Sequence, residues 1–162
     1  MRALAATAIA GLALAAAAAA KPPPAGVLVP GKSLGGLRLG MTPAQVVTAW
    51  GDHGRCRGCA YPTWYFNYAP FTPKGAAVEF RGGTVAAIFT VYAPSSWHTP
   101  KRLRVGDPEA RITKLYGALP RVECGGYYAL TLIRNGTTTA FYVVEGKLYG
   151  FGLSRVAVPA CR

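Results

Sequence analysis

Histidine and acidic residues are scarce in this sequence. Its 162 residues include two histidines, His53 and His98, and six aspartates or glutamates. Two isolated histidines do not have the spacing of a metal site. A hydrolytic triad needs a base that an acidic group orients beside a nucleophile, and the cluster of Ser95, Ser96 and His98 has no acid nearby. The sequence therefore predicts a protein that is not an enzyme and that has no metal or other cofactor.

Cysteine is absent before Cys56, which excludes lipid attachment at a cysteine beside a signal-peptide cleavage site. The four cysteines present are Cys56, Cys59, Cys124 and Cys161. In an oxidising compartment they favour two disulfides over a metal site, and three pairings are open. We prefer Cys56 with Cys59 and Cys124 with Cys161, because each bond then stays within one half of the chain.

Two other roles are open to the cysteines, a thiol-disulfide redox motif and a zinc site. Cys56-Arg57-Gly58-Cys59 has the spacing of a thiol-disulfide redox motif, but such motifs lie at a helix amino terminus, and this segment has the composition of a loop. A four-cysteine zinc site would need a second close-spaced pair, which the sequence does not contain. Structural disulfides are therefore the preferred interpretation.

The amino terminus has the composition of a secretory signal peptide. After Met1-Arg2, residues 3–20 carry no charge, and a helix-breaking Lys-Pro-Pro-Pro follows. An uncleaved membrane anchor is the alternative, because the apolar run reaches the lower length limit for crossing a bilayer. We predict a signal peptide at 1–20, a flexible lead at 21–36, no membrane span after cleavage, and a protein that is secreted or held in the cell envelope.

Basic residues far outnumber acidic ones. The chain has 18 lysines and arginines against 6 acids, a net charge of +12. Cleavage after residue 20 would remove one arginine and leave 17 − 6 = +11. Such a protein attracts anionic partners, namely wall polymers, phospholipid headgroups or an acidic protein. Nucleic acid is not expected as a partner of an exported protein, and we expect a monomer.

The sequence contains an internal repeat with an offset of 66 residues. Residues 37–51 align without a gap on residues 103–117, with five identities in fifteen positions. In the first copy Thr42 is a good helix cap, followed by Pro43 and by Gln45 at the capping-box position. Asp107-Pro108 is expected to play the same part in the second copy. Gly51 and Gly117 end the two predicted helices.

Three strand-like runs follow each predicted helix. They cover 64–68, 76–80 and 84–92 in the first copy, and 127–133, 138–144 and 147–153 in the second, with tight turns such as Asn135-Gly136 between them. The predicted fold class is α+β, a tandem repeat of a short helix plus a three-stranded antiparallel meander. The predicted boundaries are 37–94 for the first repeat, 95–102 for a linker and 103–162 for the second repeat.

The Gly-Met-Thr-Pro-Ala-Gln-Val helix start at 40–46, closed by Trp50-Gly51 and followed by a meander with Phe-x-x-Gly-x-Val at 80–85, resembles a known group of exported proteins. It is similar to the β-lactamase inhibitory proteins (BLIP-like) and to the BamE-like lipoproteins of outer-membrane barrel assembly. The resemblance implies a scaffold that binds proteins or serves envelope assembly, without shared catalytic residues. The lipidated cysteine of the BamE-like lipoproteins is absent here.

Large aromatic side chains occur on both faces of two predicted strands, whereas a helix covers only one face of a sheet. The second face is therefore either packed between the repeats or free to bind. The candidate binding residues combine aromatic and basic side chains, as interface hot spots do: Tyr61, Trp64, Tyr65, Trp97, Tyr149, Arg55, Arg57, Lys101, Arg102 and Arg104.

The leading hypothesis is a non-catalytic exported module that binds a protein through this aromatic-basic sheet face. The alternatives are a structural envelope protein bound to an anionic cell-wall polymer and, third, a thiol-disulfide redox protein. The salt dependence of binding distinguishes the first two hypotheses. Added salt screens charges, and it therefore weakens binding to an anionic polymer more than binding of a protein through buried aromatic side chains.

Overall fold

The computed structural model describes residues 26–69, 72–92 and 96–162. The predicted signal peptide lies outside the described residues, as does the start of the predicted lead. None of the helices within the described ranges is long and apolar enough to cross a membrane.

Within residues 26–69, 72–92 and 96–162 there are two eight-residue helices, both near the predicted positions, and the second begins differently from the prediction. Helix α1 spans Pro43–Trp50, and its capping box is confirmed: the Thr42 hydroxyl accepts from the Gln45 N–H, and the Gln45 side chain accepts from the Thr42 N–H at 2.9 Å. Helix α2 spans Glu109–Tyr116 and has no side-chain cap. The predicted cap at Asp107 is wrong, because its carboxylate instead accepts from the Arg104 N–H at 2.7 Å and closes the preceding turn.

The described residues also form ten strands. The short strands β1 and β2 form a hairpin, and the other eight form one antiparallel sheet in the order β3-β4-β5-β6-β10-β9-β8-β7. Their bounds are Leu28–Val29 (β1), Ser33–Leu34 (β2), Gly54–Arg55 (β3), Thr63–Ala69 (β4), Thr72–Arg81 (β5), Thr84–Val91 (β6), Arg121–Glu123 (β7), Tyr128–Arg134 (β8), Thr137–Val144 (β9) and Lys147–Arg155 (β10).

The predicted fold class is wrong. The protein is mostly β, with one eight-stranded sheet, and not an α+β tandem of helices with three-stranded meanders. The sheet is continuous because β6 pairs with β10 at its centre. The paired residues are more than 60 positions apart in the chain, so a local sequence pattern cannot predict that they pair. The short strands β3 and β7 were not predicted either, because they are exposed and lack alternating apolar residues. The predicted repeat boundaries stay a prediction.

Residues 26–36 are packed on the core through a short hairpin and are not a flexible lead. Leu28 and Leu34 of the β1–β2 hairpin are fully buried. The Leu28 N–H donates to the His98 carbonyl at 2.9 Å, and the His98 N–H donates to the Gly26 carbonyl at 3.0 Å. Burial of Leu28 and Leu34 stabilises the ordered hairpin by more than the loss of conformational entropy in this segment destabilises it.

The main core lies between one face of the sheet and the helices with the β1–β2 hairpin. Ala76, Val78 and Phe80 of β5 face this core, and because side chains alternate along a strand, Ala77 and Glu79 face the opposite side. The largest fully buried side chains of the core are Trp50, Phe66, Phe141, Phe151, Leu28, Leu34, Leu37, Ile88, Leu103, Ile112, Leu148 and Leu153.

The opposite face of the sheet is partly covered by residues 156–162, which we call the strap. Val158 of the strap is buried against Ala86 and Ala87 of β6. Ala160 packs near Tyr142 of β9 in a second small cluster. The second sheet face is therefore neither fully free nor packed between repeats, since the chain's own strap covers part of it.

Two disulfides are present, in the pairing that the sequence favoured. Cys56 is bonded to Cys59 in the loop between β3 and β4, and Cys124 is bonded to Cys161 of the strap. The first pair does not lie at a helix amino terminus, where a redox motif would need to be.

Candidate functional site

The ten residues predicted as one patch occupy separate places. Tyr65 and Tyr149 lie on the strap side of the sheet. Tyr61, Trp64 and the exposed Arg55 and Arg57 lie at the edge formed by β3 and β4. The exposed Lys101, Arg102 and Arg104 precede α2, where the Lys101 ammonium donates to the Leu115 carbonyl at 2.7 Å.

Trp97 is not a surface residue. It is 2% exposed, and its ring meets the Trp50 ring edge to face at 6.4 Å between centroids. A Cβ added at Gly26 would lie 2.5 Å from the Trp97 ring, so the backbone at Gly26, just before β1, packs directly on the indole. The prediction of Trp97 as a binding residue is therefore wrong, because this side chain fills the core.

A groove of about 610 Å³ opens on the strap side of the sheet, where β6 and β10 separate. These strands pair over three residue pairs, from Ser154↔Ala87 to Gly152↔Phe89. At the next position the Thr90 hydroxyl accepts from the Phe151 N–H at 2.9 Å and takes the place of the strand partner. Gly150 leaves room for this hydroxyl, since a Cβ there would lie 2.3 Å from it.

Among the described residues, six aromatic side chains line this opening, which we call the aromatic groove. They come from β4, β6, β9 and β10 and from two connecting segments: Tyr65, Phe89, Tyr92, Tyr127, Tyr142 and Tyr149. Gly125, Gly126, Thr90, Val91, Val144 and Arg162 complete the lining. In the part of the lining that the structure describes, flat apolar faces are combined with several phenol hydroxyls and the Arg162 guanidinium.

Tyr142 shows how the groove floor is built. Its ring lies across β10, where a Cβ at Gly152 would come within 2.3 Å of the phenol oxygen. The hydroxyl donates to the Ala160 carbonyl of the strap at 3.0 Å, and the ring meets Tyr127 edge to face at 5.8 Å. Burial raises the pKa of Tyr142, and the nearby Arg162 opposes that rise in part. The phenol therefore stays protonated and serves as a hydrogen-bond donor.

The strap supplies one wall of the groove. The Arg162 N–H donates to the Tyr127 hydroxyl at 2.6 Å, and that hydroxyl donates back to the Arg162 carbonyl. The Arg162 guanidinium lies over the Phe89 ring and donates from Nη1 to Glu79 Oε2 at 3.0 Å. Glu79 also pairs with Arg81, with Arg81 Nε 2.6 Å from its other oxygen.

A smaller cavity of about 330 Å³ lies on the helix side, at the β4 edge. The Arg81 guanidinium lies 3.8 Å from the Tyr61 ring centroid, and the Trp64 ring packs edge to face on Phe80. His53 stacks on Trp64 with 3.6 Å between ring centroids. Burial, and then the positive charge of Arg55, lower the pKa of His53, while Asp52 opposes them.

The titratable side chains of the groove lining that the structure describes are tyrosines and Arg162. None of the described lining residues is a cysteine, histidine, aspartate or glutamate. No cluster of histidine, cysteine, aspartate and glutamate able to hold a metal ion is found among residues 26–69, 72–92 and 96–162.

Sequence reasoning found two of the aromatic residues of the groove, Tyr65 and Tyr149. It missed Phe89, Tyr92, Tyr127 and Tyr142, and also Arg162 of the strap, because only the pairing of distant strands and the path of the strap bring these residues together. One signal was present: Gly150 and Gly152 alternate within a predicted strand, and strand glycines often mark a close approach of another group.

No protein-family model matches this chain. No curated protein matches it either. Two solved structures share its fold. One is the YjgB protein of Bacillus subtilis, a DUF4309 family protein, with a TM-score of 0.53 and 12% identity over 70% of this chain and 78% of that one.

The other is an extracellular protein containing a SCP domain from Bacillus anthracis, with a TM-score of 0.53 and 10% identity over 73% of this chain. The match spans 44% of that protein, so the likeness concerns part of it. Identities this low show a shared fold alone. Neither structure is a β-lactamase inhibitory protein or a BamE-like lipoprotein, and that resemblance stays a prediction.

Proposed function

We propose that this chain is an exported, non-catalytic binding module, and that its binding site is the aromatic groove. The observation that carries the proposal is the lining of that groove, in which six aromatic side chains from separate parts of the chain surround one opening of about 610 Å³. Binding sites are typically concave, mostly apolar and supplied with a few placed polar groups.

The proposed location outside the cytoplasm has three supports. Residues 1–20 have the composition of a signal peptide. All four cysteines are in disulfides, which persist in oxidising compartments. One structural neighbour, the SCP-domain protein of Bacillus anthracis, is an extracellular protein.

The aromatic groove replaces the broad sheet face that the sequence suggested as the binding surface. The strap covers part of that face and leaves the groove beside it open. Recognition would therefore depend on aromatic side chains at one confined place. We propose that the groove holds an extended segment of a partner, either a protein or an envelope polymer.

Adhesion by charge is the second candidate, and the net charge of +12 favours it. A protein held to an anionic wall by scattered lysines and arginines needs no groove, and its binding falls steeply as salt screens the charges. The two candidates therefore differ in their response to salt and to loss of one aromatic side chain.

The test compares the exported protein with its Tyr149→Ala and Phe89→Ala variants, using Tyr61→Ala as a control that lies outside the groove. Each protein is immobilised and exposed to the secreted and envelope fractions at about 50 mM and about 500 mM salt, where the screening length changes severalfold. We expect retention of a partner at both salts by the parent and the control, and loss by the two groove variants. Equal retention by all four proteins would overturn the assignment of the groove.

A further inference from the structure

We infer that β7, the last strand of the sheet, pairs antiparallel with β7 of a second copy of this chain, so that two eight-stranded sheets become continuous. In this dimer Arg121 of each copy lies opposite Glu123 of the other, and the two Val122 side chains lie side by side at the two-fold axis. The dimer does not depend on the aromatic groove, and it replaces the monomer that we expected from the sequence.

The outer side of β7 presents open backbone groups. Among the described residues β7 has no strand partner on that side. The Thr131 N–H donates to the Pro120 carbonyl at 2.9 Å, just before β7 begins. Backbone groups alternate in direction along an antiparallel strand, so those of Val122 also point toward β8, whereas those of Arg121 and Glu123 point outward. Such an edge is a template for pairing with another strand.

One carbonyl of this edge has a neighbour that cannot satisfy it. Cys161 Sγ lies 3.4 Å from the Glu123 carbonyl oxygen. Cys161 is bonded to Cys124, and a disulfide sulfur has no hydrogen to donate. The Glu123 carbonyl can therefore accept a hydrogen bond from the N–H of a second strand.

The sequence of β7 is complementary to itself in one antiparallel register. The strand consists of Arg121, Val122 and Glu123, all exposed. With Val122 opposite Val122, each Arg121 faces Glu123 of the other copy. Opposite charges that face each other across two strands stabilise the pairing, whereas like charges oppose it. The same register brings the outward backbone groups of 121 and 123 together, so charge and hydrogen bonding favour one arrangement, with the same surface on both copies.

The charged side chains are already ordered along this edge. The Arg121 guanidinium lies 3.5 Å from the Tyr128 ring centroid, and Arg121 Nε pairs with Glu123 Oε1. Side chains that are held before association lose less conformational entropy when it occurs. Val122, 38% exposed on the opposite face, packs against its counterpart and loses contact with water.

The opposite edge of the sheet does not have this complementarity. Its last strand, β3, consists of Gly54 and Arg55. Antiparallel pairing of two such strands places each Arg55 opposite a glycine, and the strand has no acidic residue. Charge of one sign on an edge strand is a common protection against pairing. Self-association is therefore expected at β7 and not at β3.

The dimer presents both aromatic grooves on one face. Residues that lie opposite each other across antiparallel strands point to the same side of the sheet, so the strap sides of the two copies are continuous. A partner with a repeated recognition segment then has two grooves to occupy, which raises the overall affinity without any new contact.

Sedimentation equilibrium of the exported protein, from about 1 μM to about 1 mM, measures the dimer. Salt at about 150 mM screens the net charge, whereas facing pairs lie within the screening length of about 8 Å. Arg121→Glu or Glu123→Arg alone puts like charges opposite each other twice and should weaken dimerisation about tenfold. Mixing these two variants, or combining both substitutions in one chain, should restore it. Arg55→Glu, the same change at β3, should have no effect.

A cysteine at the two-fold axis tests the register. Val122→Cys should form a disulfide with its counterpart under mild oxidation, because the two Cβ atoms lie about 5 Å apart in such a pair. Val156→Cys, at an exposed valine of the strap, is the matched control. Near-ultraviolet circular dichroism checks folding, and Glu123→Arg serves if Arg121→Glu does not fold.

Three results would each overturn the pairing: a monomer at every concentration, equal weakening by Arg121→Glu and Arg55→Glu, or equal crosslinking of the two cysteine variants. None of them bears on the assignment of the aromatic groove, which the retention experiment tests separately.

Discussion

Arg162 Nη1 lies 3.0 Å from Glu79 Oε2, although the two residues are 83 positions apart in the chain. This ion pair connects the strap to the carboxyl-terminal end of β5 and holds one wall of the aromatic groove in place. Both side chains are largely buried, so the pair is shielded from water. One contact thus contributes to the stability of the fold and to the shape of the candidate site.

Replacing Glu79 with glutamine should destabilise the protein by about 3 kcal/mol, because it leaves two guanidinium groups with no counter-charge in a poorly solvated place. Urea denaturation of the parent and the variant measures the difference. The matched control is Glu123→Gln, which removes the exposed pair of Glu123 with Arg121 and should cost much less stability, because water screens an exposed pair. Equal decreases in the free energy of unfolding of the two variants would show that the buried Glu79 pair does not contribute more to stability than the exposed Glu123 pair.

The two disulfides should differ in their contribution to stability. Replacing Cys124 and Cys161 by serine opens a loop with a sequence separation of 37, which in the chain-entropy account costs about 4 kcal/mol. Replacing Cys56 and Cys59 opens a separation of 3 and should cost about 2 kcal/mol.

Guanidinium denaturation of the two double variants compares these costs directly. The strap in the first variant should also exchange its amide hydrogens faster, which hydrogen-exchange mass spectrometry detects. Unchanged exchange at residues 156–162 would mean that the hydrogen bonds of Arg162 and Ala160 hold the strap without the disulfide.

His53 should titrate below its ordinary pKa of 6.5, because burial and the charge of Arg55 both disfavour the imidazolium. Between the folded-state pKa and 6.5 the unfolded chain binds more protons than the folded one, so stability rises with pH across that window. This contribution is complete above pH 6.5 and is lost as the pH falls through the folded-state value.

Nuclear magnetic resonance titration of the His53 ring measures the shift. Arg55→Gln should move the pKa of His53 upward, whereas Arg57→Gln, at the neighbouring exposed arginine, should leave it in place. The quenching of Trp64 fluorescence should follow the same titration, because the two rings stack with 3.6 Å between centroids. An identical response to both substitutions would contradict the assigned role of Arg55.

Trp97→Ala should destabilise the protein by about 4 kcal/mol, as large-to-small changes in a packed core do. Tyr61→Ala should cost less than about 1 kcal/mol, because Tyr61 is 44% exposed and its main contact is the guanidinium of Arg81. Thermal denaturation of the two variants provides the comparison. A small decrease in stability for Trp97→Ala would contradict the packing of the Trp97 ring against Gly26 and Trp50.

Local patterns predicted much of the chain correctly. Both ends of the first helix were predicted, its start from the capping box of Thr42 and Gln45 and its end from Gly51. Such signals act within a few residues along the chain. The six predicted strands are all present, since alternation and tight turns are local as well. The disulfide pairing also followed from proximity along the chain.

The sequence by itself determined these elements, the disulfides and the excess of positive charge. Only the tertiary structure decided that β6 and β10 join the halves into one sheet, that Trp97 is buried, and that the strap carries Arg162 to the groove. The physical reason is separation along the chain. Pairs such as Phe89 with Gly152 and Glu79 with Arg162 form because they bury surface and satisfy polar groups in the folded protein, and neither residue of such a pair signals its partner locally.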